Sequence, residues 1–96
     1  MPSEMSEVTV HHNPGENCFE TTIDGSRSVL EYELRNGEIV MTHTFVPPEL
    51  RGRGIAEKLV RAALAYARME QQRVVPSCSY VALFIQRHPE FQTLID

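Results

Sequence analysis

No apolar run in the sequence approaches the roughly 18 residues that a membrane-spanning helix needs. No apolar N-terminal segment of the signal-peptide kind is present either, so the expectation is a soluble, cytoplasmic protein with no membrane partner. Basic charge is not in excess: the formal net charge is −4, which argues against a general nucleic-acid binder, whose surface is usually basic. Cysteine is scarce. Cys18 and Cys78 stand far apart, with neither CxxC nor Cys/His ligand spacing, which sets aside a disulfide scaffold and a zinc site; no metal is expected. Length is short as well. The 96 residues, 42% of them hydrophobic, suit one domain spanning 1–96 with a limited core and no large cavity.

What is present changes period midway. After a polar stretch over residues 1–7, expected to fray, Val8 and Val10 alternate with polar residues and predict a short strand before the turn Asn13-Pro14-Gly15. His11 and His12 are adjacent, and adjacent strand residues point to opposite faces, so they are expected to be solvated rather than a metal pair. A second strand is predicted from Cys18 to Ile23, with Phe19, Thr21 and Ile23 on one face. Asp24-Gly25 marks a tight hairpin, a third strand follows from Ser28 to Leu34, and Asn36-Gly37 marks a second hairpin. The fourth strand runs from Glu38 to about Val46. A two-residue turn at Asn36-Gly37 opposes Arg35 to Glu38 and pairs Leu34 with Ile39, Tyr32 with Met41 and Leu30 with His43. Counting by two, Ile39, Met41, His43 and Phe45 share a face. His43 is then either a core imidazole bonded to a neighbour or a proton acceptor beside a ligand cleft, a task to which histidine is suited.

From Gly54 to about Gln72 the period becomes 3.6. Ile55, Leu59, Ala63, Tyr66 and Met69 form a stripe that Val60, Leu64 and Ala67 widen, and Glu57–Arg61 is a favourable i,i+4 pair. Arg73 to Cys78 reads as a short buried strand, parallel to the fourth because a helix crosses between them. A second helix is predicted from Ser79 or Tyr80 to Arg87, capped by Ser79 and broken by His88-Pro89. The fold class expected is α/β (α+β): a mixed sheet of antiparallel N-terminal strands followed by a βαβ unit with a parallel fifth strand.

The chain is organised around Val46 to Ala56. Pro47 and Pro48 stop the strand, Gly52 and Gly54 permit positive φ, and a helix start presents unpaired N–H groups. Together these make a site that favours phosphate, and Arg51 and Arg53 add positive charge. The three glycines of a dinucleotide-binding turn are missing, as is the Gly-Lys-Ser/Thr of a P-loop. Arg51-Gly52-Arg53-Gly54-Ile55-Ala56 instead reads as Gln/Arg-x-x-Gly-x-Gly/Ala and resembles the acyl-CoA-binding loop of GNAT-type N-acetyltransferases. The order of strands and helices is similar to a GNAT core over roughly residues 5–91. Val74-Val75-Pro76-Ser77-Cys78-Ser79-Tyr80 and Arg87-His88-Pro89-Glu90-Phe91 further resemble a small single-domain group within that superfamily.

The resemblance implies an acyl-CoA-dependent N-acetyltransferase. Val46, Arg51, Gly52, Arg53, Gly54, Ile55 and Ala56 would hold the pyrophosphate of acetyl-CoA, and an amine would accept the acetyl group. Two departures bear on the mechanism. Only Asn13 to Asn17 stands where GNAT enzymes place helices between their first two strands, so one wall of the acceptor pocket is missing and an amine as large as a peptide or protein has access. Laying Ser79 and Ala82 over the family's Asn-x-x-Ala puts Gln86 where many members carry a general-acid tyrosine. Cys78, His43, Tyr80 and water then remain for chemistry. Cys78 is the candidate nucleophile and His43 its candidate base, with the predicted helix at Ser79 aiming its N-terminal dipole at the thiol. The alternative is a non-catalytic module that binds acetyl-CoA or CoA, which needs the loop alone. A purely structural domain would require the loop and tail matches to be coincidental.

Overall fold

The computed structural model describes residues 8–95, so the stretch over 1–7 lies outside the described residues. Five strands form one sheet in the order β1 (His11–Asn13), β2 (Cys18–Ile23), β3 (Ser26–Arg35), β4 (Glu38–Phe45) and β5 (Arg73–Pro76). The first four pair antiparallel and β5 runs parallel to β4. Helix α1 (Ile55–Met69) crosses between β4 and β5, and α2 (Ser79–Arg87) follows. Short 3₁₀ segments occupy Pro48–Leu50 and Pro89–Leu94. This is the expected mixed sheet with its βαβ unit. Among the described residues no helix is long and apolar enough to cross a membrane.

Both hairpins form as their dipeptides dictate. Asp24 and Gly25 take φ 51° and 80°, and Asn36 and Gly37 take 41° and 84°, positive at both central positions as a tight turn requires. The second turn fixes Arg35↔Glu38, Leu34↔Ile39 and Tyr32↔Met41, as the sequence predicts. The register then shifts between Glu31 and Tyr32: His43 pairs with Glu31, and Leu30 pairs with Thr44. Thr42 is the extra residue of a β-bulge, which reverses the facing of everything after it.

The first strand differs from expectation. Pairing begins at His11, not Val8, with His11↔Glu20, His12↔Phe19 and Asn13↔Cys18. Upstream, Val8 and Thr9 stand off from β2 across an open cleft lined also by His11 and residues 20–23. Helix α1 ends earlier than its periodicity suggests. Gln71 takes φ 57°, Gln71 N–H donates to Arg68 O at 3.2 Å, and Gln72 N–H donates to Ala67 O at 2.9 Å. This is a Schellman cap with glutamine at the position that usually favours glycine. Met69, placed on the core stripe by periodicity, is 75% exposed beside that cap.

The core lies between one face of the sheet and the two helices. Phe19, Leu30, Tyr32, Ile39, Met41 and Val74 pack against Ile55, Leu59, Val60, Ala63, Leu64 and Ala67 of α1 and Val81, Phe84 and Ile85 of α2. Small alanines let α1 lie close to the strands. Cys18, Val29 and Val40 alternate onto the opposite face, where no described helix packs and where Arg27 reaches over Cys18, 3.4 Å from its Sγ. The sheet therefore has one covered face and one open face.

Candidate functional site

The junction between β4 and α1 is built from short local bonds. Leu50 N–H donates to Pro47 O at 2.9 Å and Arg51 N–H to Pro48 O at 3.3 Å, closing the 3₁₀ turn, while Leu50 is buried in the core. Ser26 Oγ donates to Glu49 at 2.7 Å, tying the turn to the start of β3. That bond holds the Glu49 carboxyl below its ordinary range. Arg51 Nε–H donates to Val46 O at 2.8 Å, and its guanidinium lies 5.9 Å from the centroid of the Phe45 ring. Gly52 and Gly54 have φ 84° and 76°, a region that disfavours L side chains. The first bond of α1 is Lys58 N–H to Gly54 O at 3.2 Å. The N–H groups of Ile55, Ala56 and Glu57 lie ahead of it, at the positive end of the helix.

These N–H groups border a cleft of about 240 Å³ lined by Val46, Leu50, Arg51, Gly52, Gly54, Ile55, Ala56, Glu57 and Tyr80. Six of the loop residues singled out from the sequence thus meet in one concavity; Arg53, half-buried in the same loop, is not among the lining residues. Tyr80 enters from the first turn of α2 and is 39% exposed. Burial, aided by the charge of Glu57, pushes its phenol up. The sequence placed Tyr80 among the groups left for chemistry, and its position in this cleft depends on how α2 lies against α1.

A second feature sits beside the cleft. β4 and β5 pair from Glu38↔Arg73 as far as Met41↔Pro76. Cys78 N–H then donates to Met41 O at 2.8 Å, and β4 continues to Phe45 with β3 as its only partner strand among the described residues. The two strands fork at the bulge, leaving one backbone edge of β4 without strand pairing. Cys78 stands at this fork as the N-cap residue of α2, replacing Ser79 in that position, and no side chain bonds the cap. Its Sγ lies 3.5 Å from Thr44 Oγ1.

His43 is not where sequence parity puts it. The bulge at Thr42 turns Thr44 onto the covered face with Leu30 and sends His43 and Phe45 to the open face, beside Glu31 and Val29. Cys78 meets Thr44 instead of the expected imidazole. Thr44 was missed because no glycine or proline marks the bulge. Gln86 is exposed on α2. Among the described residues no group of three His, Cys, Asp or Glu side chains is placed to hold a metal ion.

His12 was expected in solvent and is instead built into an aromatic cluster. Its ring stacks on Phe19 at 4.3 Å and meets Tyr66 at 4.4 Å, and its Nε2 lies 2.6 Å from Tyr32 Oη. His11 points out, so the alternation was right, but the edge strand covers α1 and needs an inward ring. Burial lowers the His12 pKa, against a smaller opposing pull from Glu70. The unfolded chain therefore takes up a proton more readily than the folded one. Stability supplied by neutral His12 is present above the ordinary histidine range and is lost as pH falls through it. Urea unfolding at about pH 7.5 and about pH 5.5 should show this loss, with a shallower decline in His12→Gln. An equal decline in both proteins would remove His12 as its source.

Comparison with known proteins bears on the fold and the family. The sequence profile described as GCN5-related N-acetyl-transferase matches residues 18–94. Protein NATD1 of Bos taurus is 35% identical over 91 residues, covering 92% of this chain and 80% of that protein. Protein NATD1 of Homo sapiens is 34% identical, covering 85% of this chain and 75% of its own length. The solution NMR structure of a GCN5-like protein from Staphylococcus aureus superposes with a TM-score of 0.71 at 27% identity, covering 91% of this chain and 86% of that one. The chain belongs to the GCN5-related N-acetyltransferase family.

Proposed function

We propose that this protein is a cytoplasmic acyl-CoA-dependent N-acetyltransferase that moves an acetyl group from acetyl-CoA to an exposed amine. The observation that carries the reading is the junction from Val46 to Ala56, where two positive-φ glycines deliver the first N–H groups of α1 into a cleft. The cleft fits a pyrophosphate in kind: N–H donors and the helix dipole both favour negative charge. Val46, Arg51, Gly52, Arg53, Gly54, Ile55 and Ala56 form this anion-binding loop. The edge of β4 beyond Met41, without a partner strand among the described residues, offers backbone groups to the amides of a pantetheine arm.

The corrected position of His43 divides the work between the two faces of the sheet. Cys78 and Thr44 meet the thioester from the covered side of the fork. His43 faces the open side, where no described helix stands and a peptide or protein amine has room to approach. There the imidazole accepts the proton that the amine loses as it attacks. A non-catalytic CoA-binding module would use the same loop and leave both groups idle.

The test is calorimetric titration with acetyl-CoA and CoA, followed by mass spectrometry of lysine-containing and N-terminal amine peptides incubated with the protein. One-site binding and acetylated peptide are expected, with peptide acetylation lost in His43→Ala while CoA still binds. Binding without acetylation of any amine would leave the module. No binding would remove the reading.

A further inference from the structure

The open face of the sheet carries its carboxylates in ion pairs, with one exception. Glu20 is bonded to Arg27 at 2.6 Å, Glu33 is bonded to Arg35 at 2.9 Å, and Glu38 lies 3.7 Å from Arg73. Glu31 stands exposed on the same face with no ion-pair partner among the described residues. The bulge sets its place. Glu31 pairs across the strands with His43, and Thr42 Oγ1–H donates to Glu31 O at 3.2 Å, pinning β3 against the extra residue. With an unbroken register His43 would stand opposite Leu30 on the covered face, away from this carboxylate. One pair further along, Val29 opposes Phe45, whose ring is 42% exposed. Residues directly opposed across antiparallel strands have Cβ atoms about 5 Å apart. An unpaired carboxylate, an imidazole and an open aromatic ring therefore share one small patch.

A reacting ammonium gives up its charge at His43, so it cannot remain the counterion of Glu31. A fixed cation a few ångströms away on the same acceptor can. In an extended peptide the side chains that share a face recur every two residues, about 7 Å apart, and the long stems of lysine and arginine absorb the difference from the Glu31–His43 spacing. We propose that Glu31 determines acceptor specificity: the acceptor is a basic peptide segment, its reacting lysine at His43 and an arginine two positions away at Glu31. The proposal rests on the reading that the amine approaches His43 across the open face. Arginine suits the role because its planar fork gives a carboxylate two parallel N–H bonds. Its stem and that of the lysine lie over Val29 and Phe45. A peptide fits here better than a small diamine, because small ligands are held in concave sites and no described helix stands over this face to enclose one. The formal net charge of −4 steers a basic segment towards the protein.

The experiment is steady-state acetylation, at saturating acetyl-CoA, of three N-terminally blocked peptides that differ at one position and contain Lys-Ala-Arg, Lys-Ala-Gln or Lys-Ala-Glu. With the native protein the arginine peptide should show a KM about fivefold below that of the glutamine peptide, the upper scale of an exposed ion pair, with little change in kcat. The glutamate peptide should have the highest KM of the three. Glu31→Gln should remove the difference between the arginine and glutamine peptides. Glu31→Arg should reverse the order in favour of the glutamate peptide, which a merely structural role does not produce. Glu33→Gln, whose carboxylate is held by Arg35 on the same strand, should leave the native order in place. CoA affinity by calorimetry should be the same in every variant. Equal KM for the arginine and glutamine peptides in the native protein, or a preference that survives Glu31→Gln, overturns the assignment of Glu31 while acetyl transfer itself stands. A higher kcat/KM for 1,4-diaminobutane than for the arginine peptide overturns the peptide as acceptor. CoA binding without acetylation of any of these amines overturns the transferase reading together with the proposal.

Discussion

Gly54→Val will lower affinity for CoA on the order of tenfold or more in a protein that remains folded. Gly54 is the N-cap residue of α1 with φ 76°, and it also lines the cleft. A β-branched residue in the left-handed region costs about 1–2 kcal/mol, and the backbone relieves that strain by rotating away. Such a rotation turns the N–H groups at the start of α1 from the cleft, and the new side chain occupies space beside them. Circular dichroism and a urea midpoint show that the variant folds; calorimetry reads the affinity. Gly25→Ala is the matched control. Its φ is 80°, an added Cβ meets nothing within 4 Å, and it lies in the β2–β3 turn, outside the residues lining the cleft. It should lose stability and keep CoA affinity. A Gly54→Val protein that binds CoA like the native one removes the loop from the site.

Where the sequence specified local backbone geometry, it was legible. The Asp-Gly and Asn-Gly pairs each impose two positive φ angles, so both hairpins and the register up to Tyr32↔Met41 follow from the dipeptides alone. The change from period two to period 3.6 located α1 and made β5 parallel. What failed were features that tertiary contacts choose. The bulge at Thr42 falls in Thr42-His43-Thr44, a polar run without glycine or proline. Phe45 then makes the apolar alternation look unbroken, although its ring lies on the open face near Arg51. One extra residue therefore exchanged His43 for Thr44 beside Cys78. The same limit applies to His12: adjacency correctly separated it from His11, but only the placement of α1 beneath β1 shows that Tyr66 closes over its ring. Gln71 in a glycine's position ended α1 without a compositional signal.

Cys78 should be the reactive thiol of this chain, and its chemistry separates an acyl-enzyme route from direct transfer. Cys18 is 2% exposed on the open face. Burial pushes its thiol up, Glu20 adds to the shift, and Arg27 only partly offsets it. Cys78 is partly exposed at the fork, next to the Thr44 hydroxyl, which can donate to sulfur once the thiol proton has left. Iodoacetamide near neutral pH should modify Cys78 on the order of tenfold faster than Cys18, and bound CoA should protect it. In the acyl-enzyme route the Cys78 thiolate, its proton released to solvent, attacks the acetyl carbonyl. A new carbon–sulfur bond forms as the bond to the CoA sulfur breaks, and the departing thiolate takes up one proton. An amine entering from the open face then attacks the Cys78 thioester and loses its proton to His43; the carbon–sulfur bond to Cys78 breaks, the released thiolate takes a proton from solvent, and His43 returns its own to solvent. Acetyl-CoA alone should add about 42 Da to Cys78, one acetyl group in place of one hydrogen. Cys78→Ser should show no such adduct while CoA affinity stays within about twofold, because the anion loop is a separate part of the site. A Cys78 that is slow with iodoacetamide, unprotected by CoA and unacetylated would end the acyl-enzyme route. Acetylated peptide made by Cys78→Ser would then mark direct attack by the amine on the thioester.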